Sequence, residues 1–189
     1  MTRKQDSENP RQNRRWPRLP GSQQDRPQCG RPQKPKDTLL DEAGFDQVET
    51  VCLTLARLFF VTFATPASQS WMRAFQEAEQ ALPGLDGRSI GFQVLDVLKA
   101  IRSSRRSVFM YSNPDCPGCQ RIVTEHEFRL ISALSALRRD QKQYAQMQLM
   151  LLCEGNPTGV ALSRMAQLAR ALPCVESPTS AAQGPRLHS

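Results

Sequence analysis

From Asp37 onward the apolar positions fall at three-to-four spacing, the signature of helices that bury one face. Leu40, Phe45, Val48, Cys52, Leu55, Phe59 and Thr62 mark a first helix, which Pro66 closes. Trp71, Phe75, Ala78 and Leu82 mark a second, ending at Pro83-Gly84. Ile90, Val94, Leu98 and Ile101 mark a third that runs into Arg102, Arg105 and Arg106. Val108 to Tyr111 is β-prone and too short to be more than an extended segment.

Thr124 and Glu127 form a capping box, so the next helix starts there and buries Phe128, Ile131, Leu134 and Leu137. After Arg138-Arg139-Asp140 a further helix spans Gln141 to Cys153, with Gly155 placed as its left-handed cap. Connected so tightly, the two should pack antiparallel. Asn156-Pro157-Thr158 opens the last helix, which carries Val160, Met165, Leu168, Ala169 and Leu172 and stops at Pro173. The pattern predicts an all-α fold of five to six amphipathic helices, with a cysteine-bearing loop ahead of a helical hairpin. The expected organisation is a helical domain over 37–174, made of helices within 37–106, the loop 107–123, and the hairpin with the last helix over 124–173.

Residues 1–36 break this pattern. Ten basic residues stand there against three acids, a net of +7 that accounts for the whole chain's formal charge of +7 and leaves the rest balanced. Six prolines and almost no large apolar groups predict a disordered basic arm, since it cannot bury enough surface to offset its ordering entropy. Arg11, Arg14, Arg15 and Arg18 make it attractive to nucleic acid or another acidic partner through screened, sequence-independent electrostatics. Residues 175–189 read as a flexible tail.

The arm has no apolar run of the kind a secretory signal needs. Val51–Ala67, the most apolar stretch, is interrupted by Arg57 and is too short to span a bilayer, so it reads as a core helix and no transmembrane segment is expected. Six cysteines without a signal fit a reducing, cytoplasmic setting.

The chemistry concentrates at Cys116-Pro117-Gly118-Cys119, a turn that lets two thiolates meet one tetrahedral ion. His126 lies in the first turn of the capped helix. At about 1.5 Å per residue, His126 is about 18 Å from position 138 and Cys153 about 17 Å from position 142. An antiparallel hairpin would therefore bring Cys153 back to the level of His126. Cys116, Cys119, His126 and Cys153 thus form a candidate site for one structural zinc ion, with Cys174 a substitute for Cys153. Arg102, Arg105 and Arg106 fit either the negative end of the third helix or a phosphate or nucleic-acid contact.

Val108–Cys119 also resembles the strand, turn and reactive Cys-x-x-Cys of glutaredoxins and thioredoxins. The resemblance implies thiol-disulfide chemistry, with Cys116 the low-pKa nucleophile and Cys119 the resolving thiol. Thiols left unligated around a turn are the third reading, in which the protein is a plain helical adaptor. No phosphate-binding glycine loop or dinucleotide fingerprint is present, so no nucleotide cofactor is indicated. With His126 and His188 the only histidines, few catalytic arrangements are available. The leading expectation is a non-enzymatic helical binding or regulatory module, acting on an unidentified protein partner or on nucleic acid through residues 1–36.

Overall fold

A computed structural model describes residues 32–173. The arm through residue 31, with Arg11, Arg14, Arg15 and Arg18, lies outside the described residues, as do Cys174 and the tail. The described chain is mostly helical: α1 Gln47–Ala64, α2 Ser70–Ala81, α3 Gly87–Ser104, the single turn α4 Pro117–Gln120, α5 Glu125–Arg138, α6 Lys142–Leu152 and α7 Gly159–Ala171.

The first helix starts later than the apolar spacing implies. Thr38–Leu39 (β1) pairs antiparallel with Ile122–Val123 (β2), Thr38 opposite Val123 and Leu39 opposite Ile122. A 3-10 turn over Leu40–Glu42 follows, then Gly44 at φ 69°. Asp46 and Glu49 then cap α1 reciprocally: the Glu49 amide donates to Asp46 Oδ1 at 2.8 Å and the Asp46 amide to Glu49 Oε2 at 3.1 Å. Leu40 and Phe45 still pack on the core, from a turn instead of a helix face.

Thr124 caps α5 in the expected box, its Oγ1 accepting from the Glu127 amide at 3.1 Å while Glu127 Oε2 accepts from the Thr124 amide at 2.8 Å. Asp140, at φ 56°, turns the chain into α6, which lies against α5 as a hairpin. Gly155 closes α6 at φ 76°, its amide donating to Met150 O at 2.9 Å. α7 packs on α3 and α5, and α1 lies against α2, α3 and α5. Leu55, Phe59, Leu98, Ile101, Leu134, Leu149 and Met165 fill the shared interior. Each such buried side chain contributes about 1.5–3 kcal/mol.

Gly87 opens α3 because nothing larger fits: a Cβ there would sit 2.4 Å from Ala78 O in α2. α1 is the one helix among the described residues long and apolar enough to cross a membrane, and 56% of it is buried within the fold. Its buried Arg57 and Glu49 both make ion pairs with other helices, as expected of a core element.

Candidate functional site

The loop carrying Cys116 and Cys119 hangs on one buried ion pair. Arg57 donates from Nε to Glu127 Oε1 at 2.7 Å and from Nη2 to Oε2 at 3.1 Å. Nη1 donates to the Gln120 carbonyl (2.9 Å) and the second Nη2 hydrogen to that of Ile122 (2.7 Å). Glu127 Oε1 also accepts from the Ser112 amide at 2.9 Å. One carboxylate thus caps α5, neutralises α1's only arginine and pins both ends of the 112–124 loop. Such a pair tolerates burial because nearly every donor and acceptor is satisfied.

The four residues expected to bind zinc lie in different surroundings. Cys116 precedes α4 and Cys119 sits within it, both buried. His126 Nδ1 accepts from the Met110 amide at 2.8 Å, and its ring packs on Phe109 at 5.3 Å. Its Nε2 lies 3.5 Å from Arg105 Nη2. Cys153 is fully buried and hydrogen-bonds Ser104. Among the described residues no three His, Cys, Asp or Glu side chains come together as a group that could hold a metal ion. His126 and the end of α6 do return to one level, but the guanidinium of Arg105 lies there, contacting His126 and the Leu152 carbonyl.

Arg105 is therefore used differently from its neighbours. Its side chain is only 3% exposed; it pairs with Glu154 at 3.1 Å and donates to Ser107 Oγ at 2.9 Å. The helix end it serves is that of α6, whose terminal carbonyl at Leu152 it satisfies, more than that of its own α3. Glu154 in turn accepts from the amides of Arg106 (3.0 Å) and Ser107 (3.3 Å) and from the Ser107 hydroxyl. These donors hold its carboxyl well down, at about 2. Burial, reinforced by the Arg105 charge, pushes His126 below its ordinary value.

Arg102 and Arg106 remain exposed, and among the described residues neither makes an ion pair. They flank an open cleft of about 330 Å³ between the ends of α1 and α3 and the extended segment 106–111. Phe60 and Phe63 from α1 and Tyr111 from the segment form its floor, with Val108 at the lip. Phe60 stacks on Phe109 at 4.2 Å between centroids and on Tyr111 at 5.4 Å, the latter inclined by 20°. Arg102 lies over the Phe63 ring, 4.0 Å from its centroid.

Alternation along the extended segment sends Met110 the other way. There it borders a second hollow, of about 360 Å³, with Lys34, Lys36, Glu125 and His126. The root of the basic arm therefore stands beside the segment that forms the aromatic cleft. Lys36 pairs with Glu125 at 3.2 Å, an exposed contact of small energetic weight.

The spacing of apolar residues singles out neither Phe60 nor Phe63 as cleft residues, and it leaves Arg57 as an interruption. The available signal was Arg57 itself, since a lone arginine in a buried helix requires a partner. The chain matches no protein-family model, no curated protein and no solved structure with which it was compared.

Proposed function

We propose that the protein is a non-enzymatic module that binds nucleic acid, with the basic arm and the Arg102/Arg106 side of the helical domain acting as one cationic track. The observation that carries this reading is the position of the arm's root: Lys34 and Lys36 border one side of the 106–111 segment, and Arg102 and Arg106 border the other. Basic residues at the described end of the arm and basic residues of the helical domain thus border the same segment, which suits a polyanionic partner. The non-enzymatic part is supported by the state of the titratable groups. His126 Nδ1 is engaged by the Met110 amide and its Nε2 faces the Arg105 guanidinium, and burial pushes the Cys52 and Cys153 thiols up, away from nucleophilic thiolates.

The test is fluorescence anisotropy of the full chain with a labelled oligonucleotide over a range of salt. Association should fall linearly in a log–log plot. Replacing Arg11, Arg14, Arg15 and Arg18 by Gln should flatten the slope by up to about 3, at ~0.7 per lost phosphate contact on a single strand. Binding that ignores ionic strength would overturn the reading.

A further inference from the structure

We infer that the cleft between α1, α3 and the 106–111 segment seats an unpaired base together with its phosphate, so that the protein prefers single-stranded nucleic acid. The inference rests on the nucleic-acid reading above and names the feature of the ligand that the domain recognises. Three observations converge on it. The cleft, about 330 Å³, falls at the lower end of the range for small-molecule sites, about 300–1,000 Å³; a base fits and a duplex does not.

The floor is aromatic. Phe60 is buried, stacked on Phe109 and Tyr111 and edge-on to Phe63, whereas Tyr111 and Phe63 are only partly buried, which leaves ring surface of these two to the cleft. Successive bases stack on such surfaces without regard to sequence. Finally, the rim is cationic. Arg102 is held against Phe63 by its cation–π contact, and Arg106 stands exposed beside it with its backbone amide fixed on Glu154. Planar guanidinium groups donate to phosphate oxygens in pairs and stack on rings, both of which a nucleotide offers.

An acidic peptide would satisfy the arginines and leave the aromatic floor unused. The segment itself is firmly placed: the Met110 amide donates to His126, its carbonyl accepts from Thr124 Oγ1 at 2.7 Å, and the Ser112 amide is fixed on Glu127. The ring of Tyr111 is thus presented before any ligand arrives, which lowers the ordering cost of binding.

The experiment compares three labelled ligands of equal length with the full-length protein at matched salt: an oligothymidylate, the same backbone made abasic, and a duplex. The oligothymidylate should bind roughly tenfold more tightly than the abasic strand, the size of effect expected from one stacked base. Tyr111→Ala should remove that difference while keeping the salt slope. Because Tyr111 contributes to packing, Val108→Asp provides a second variant: Val108 is 80% exposed, so an acid at the lip, close to the seated phosphate, should weaken both single strands without disturbing the core, and unchanged affinity for both would overturn the seat. Equal affinity for the three ligands with the salt slope intact would overturn the base seat and leave the polyanion reading standing. No salt-dependent binding to any of them would overturn both.

Discussion

Arg57 and Glu127, 70 residues apart in sequence, meet at 2.7 Å in the interior, and both side chains are at most 5% exposed. Through this pair the second half of the chain is locked to α1. The same carboxylate closes the capping box of α5 and holds the Ser112 amide, so the 112–124 loop and the 106–111 segment inherit their position from it.

Breaking that pair from one side leaves a charge buried without its partner. Arg57→Ala or Glu127→Ala should each cost about 3–5 kcal/mol, measured by urea unfolding. The double variant Arg57→Met/Glu127→Leu should recover only part of the loss, because it removes both charges but leaves the Ser112 and Thr124 amides and the Gln120 and Ile122 carbonyls without these partners. Two single variants within 1 kcal/mol of the parent would show that the pair is not structural.

Acidification should act on the junction of α3, α5 and α6 in two stages. The charged groups facing His126 are Arg105 from the end of α3, Glu125 and Arg129 from α5, and Glu154 beyond α6; burial and Arg105 dominate and depress its pKa. The folded state then binds fewer protons than the unfolded one, so stability present above the unfolded value of 6.5 is lost as pH falls below it. Glu154, lowered from 4.5 to about 2, adds a second loss as pH falls from 4.5 toward 2. His126→Asn retains an acceptor for the Met110 amide and should abolish the first stage only. Thermal midpoints between pH 8 and pH 3 would separate the stages, and an unchanged first stage in the variant would exclude His126 as its source.

Much of this organisation is legible in the sequence where the signal is local. Thr124 and Glu127 announce α5, Gly155 announces the end of α6, and the proline stops are where the helices end. β1 escaped notice because a two-residue strand has no period and its partner lies beyond four helices. Among the described residues the expected zinc ligands do not gather into one group, and the reason is different. Rise per residue fixes the height of His126 and Cys153 along the hairpin but not the direction in which each points about its helix axis. His126 turns to Met110 and Arg105, whereas Cys153 turns into the core. That Arg105 would serve α6, 47 residues away, has no local signature.

Thiol reactivity should divide along burial. Burial raises Cys52 from 9.0 to about 12, so its thiol should resist alkylation at pH 8 until the protein unfolds, and Cys153 should behave likewise. A pKa raised in the folded state means stability that is intact below pH 9 and is lost as pH rises toward 12. Cys52→Ala should remove that alkaline loss. Timed thiol titration with mass mapping checks the first part. Adding a strong chelator to the same titration tests Cys116 and Cys119: reactivity released by chelation would show metal held there, and an unchanged rate would show thiols protected by packing alone.

Gly87 offers the most local test of how α2 and α3 come together. Its place at the start of α3, after the Asp86 cap, is one that alanine would ordinarily fill with some gain in helix propensity. Here the added Cβ would lie 2.4 Å from Ala78 O and 2.7 Å from Glu79 Cα, backbone atoms that cannot rotate away. α3 must then shift outward, and Ile90 and Val94, buried one and two turns along, would lose contact with the core. Gly87→Ala should therefore destabilise by about 1–3 kcal/mol despite its better propensity, the cost typical of overpacking. Gly159→Ala is the matched control: Gly159 also starts a helix, α7, but its Cβ would meet nothing within 4 Å. The control should be neutral or slightly stabilising in the same urea experiment. Equal effects at the two positions would mean that α3 does not approach α2 this closely.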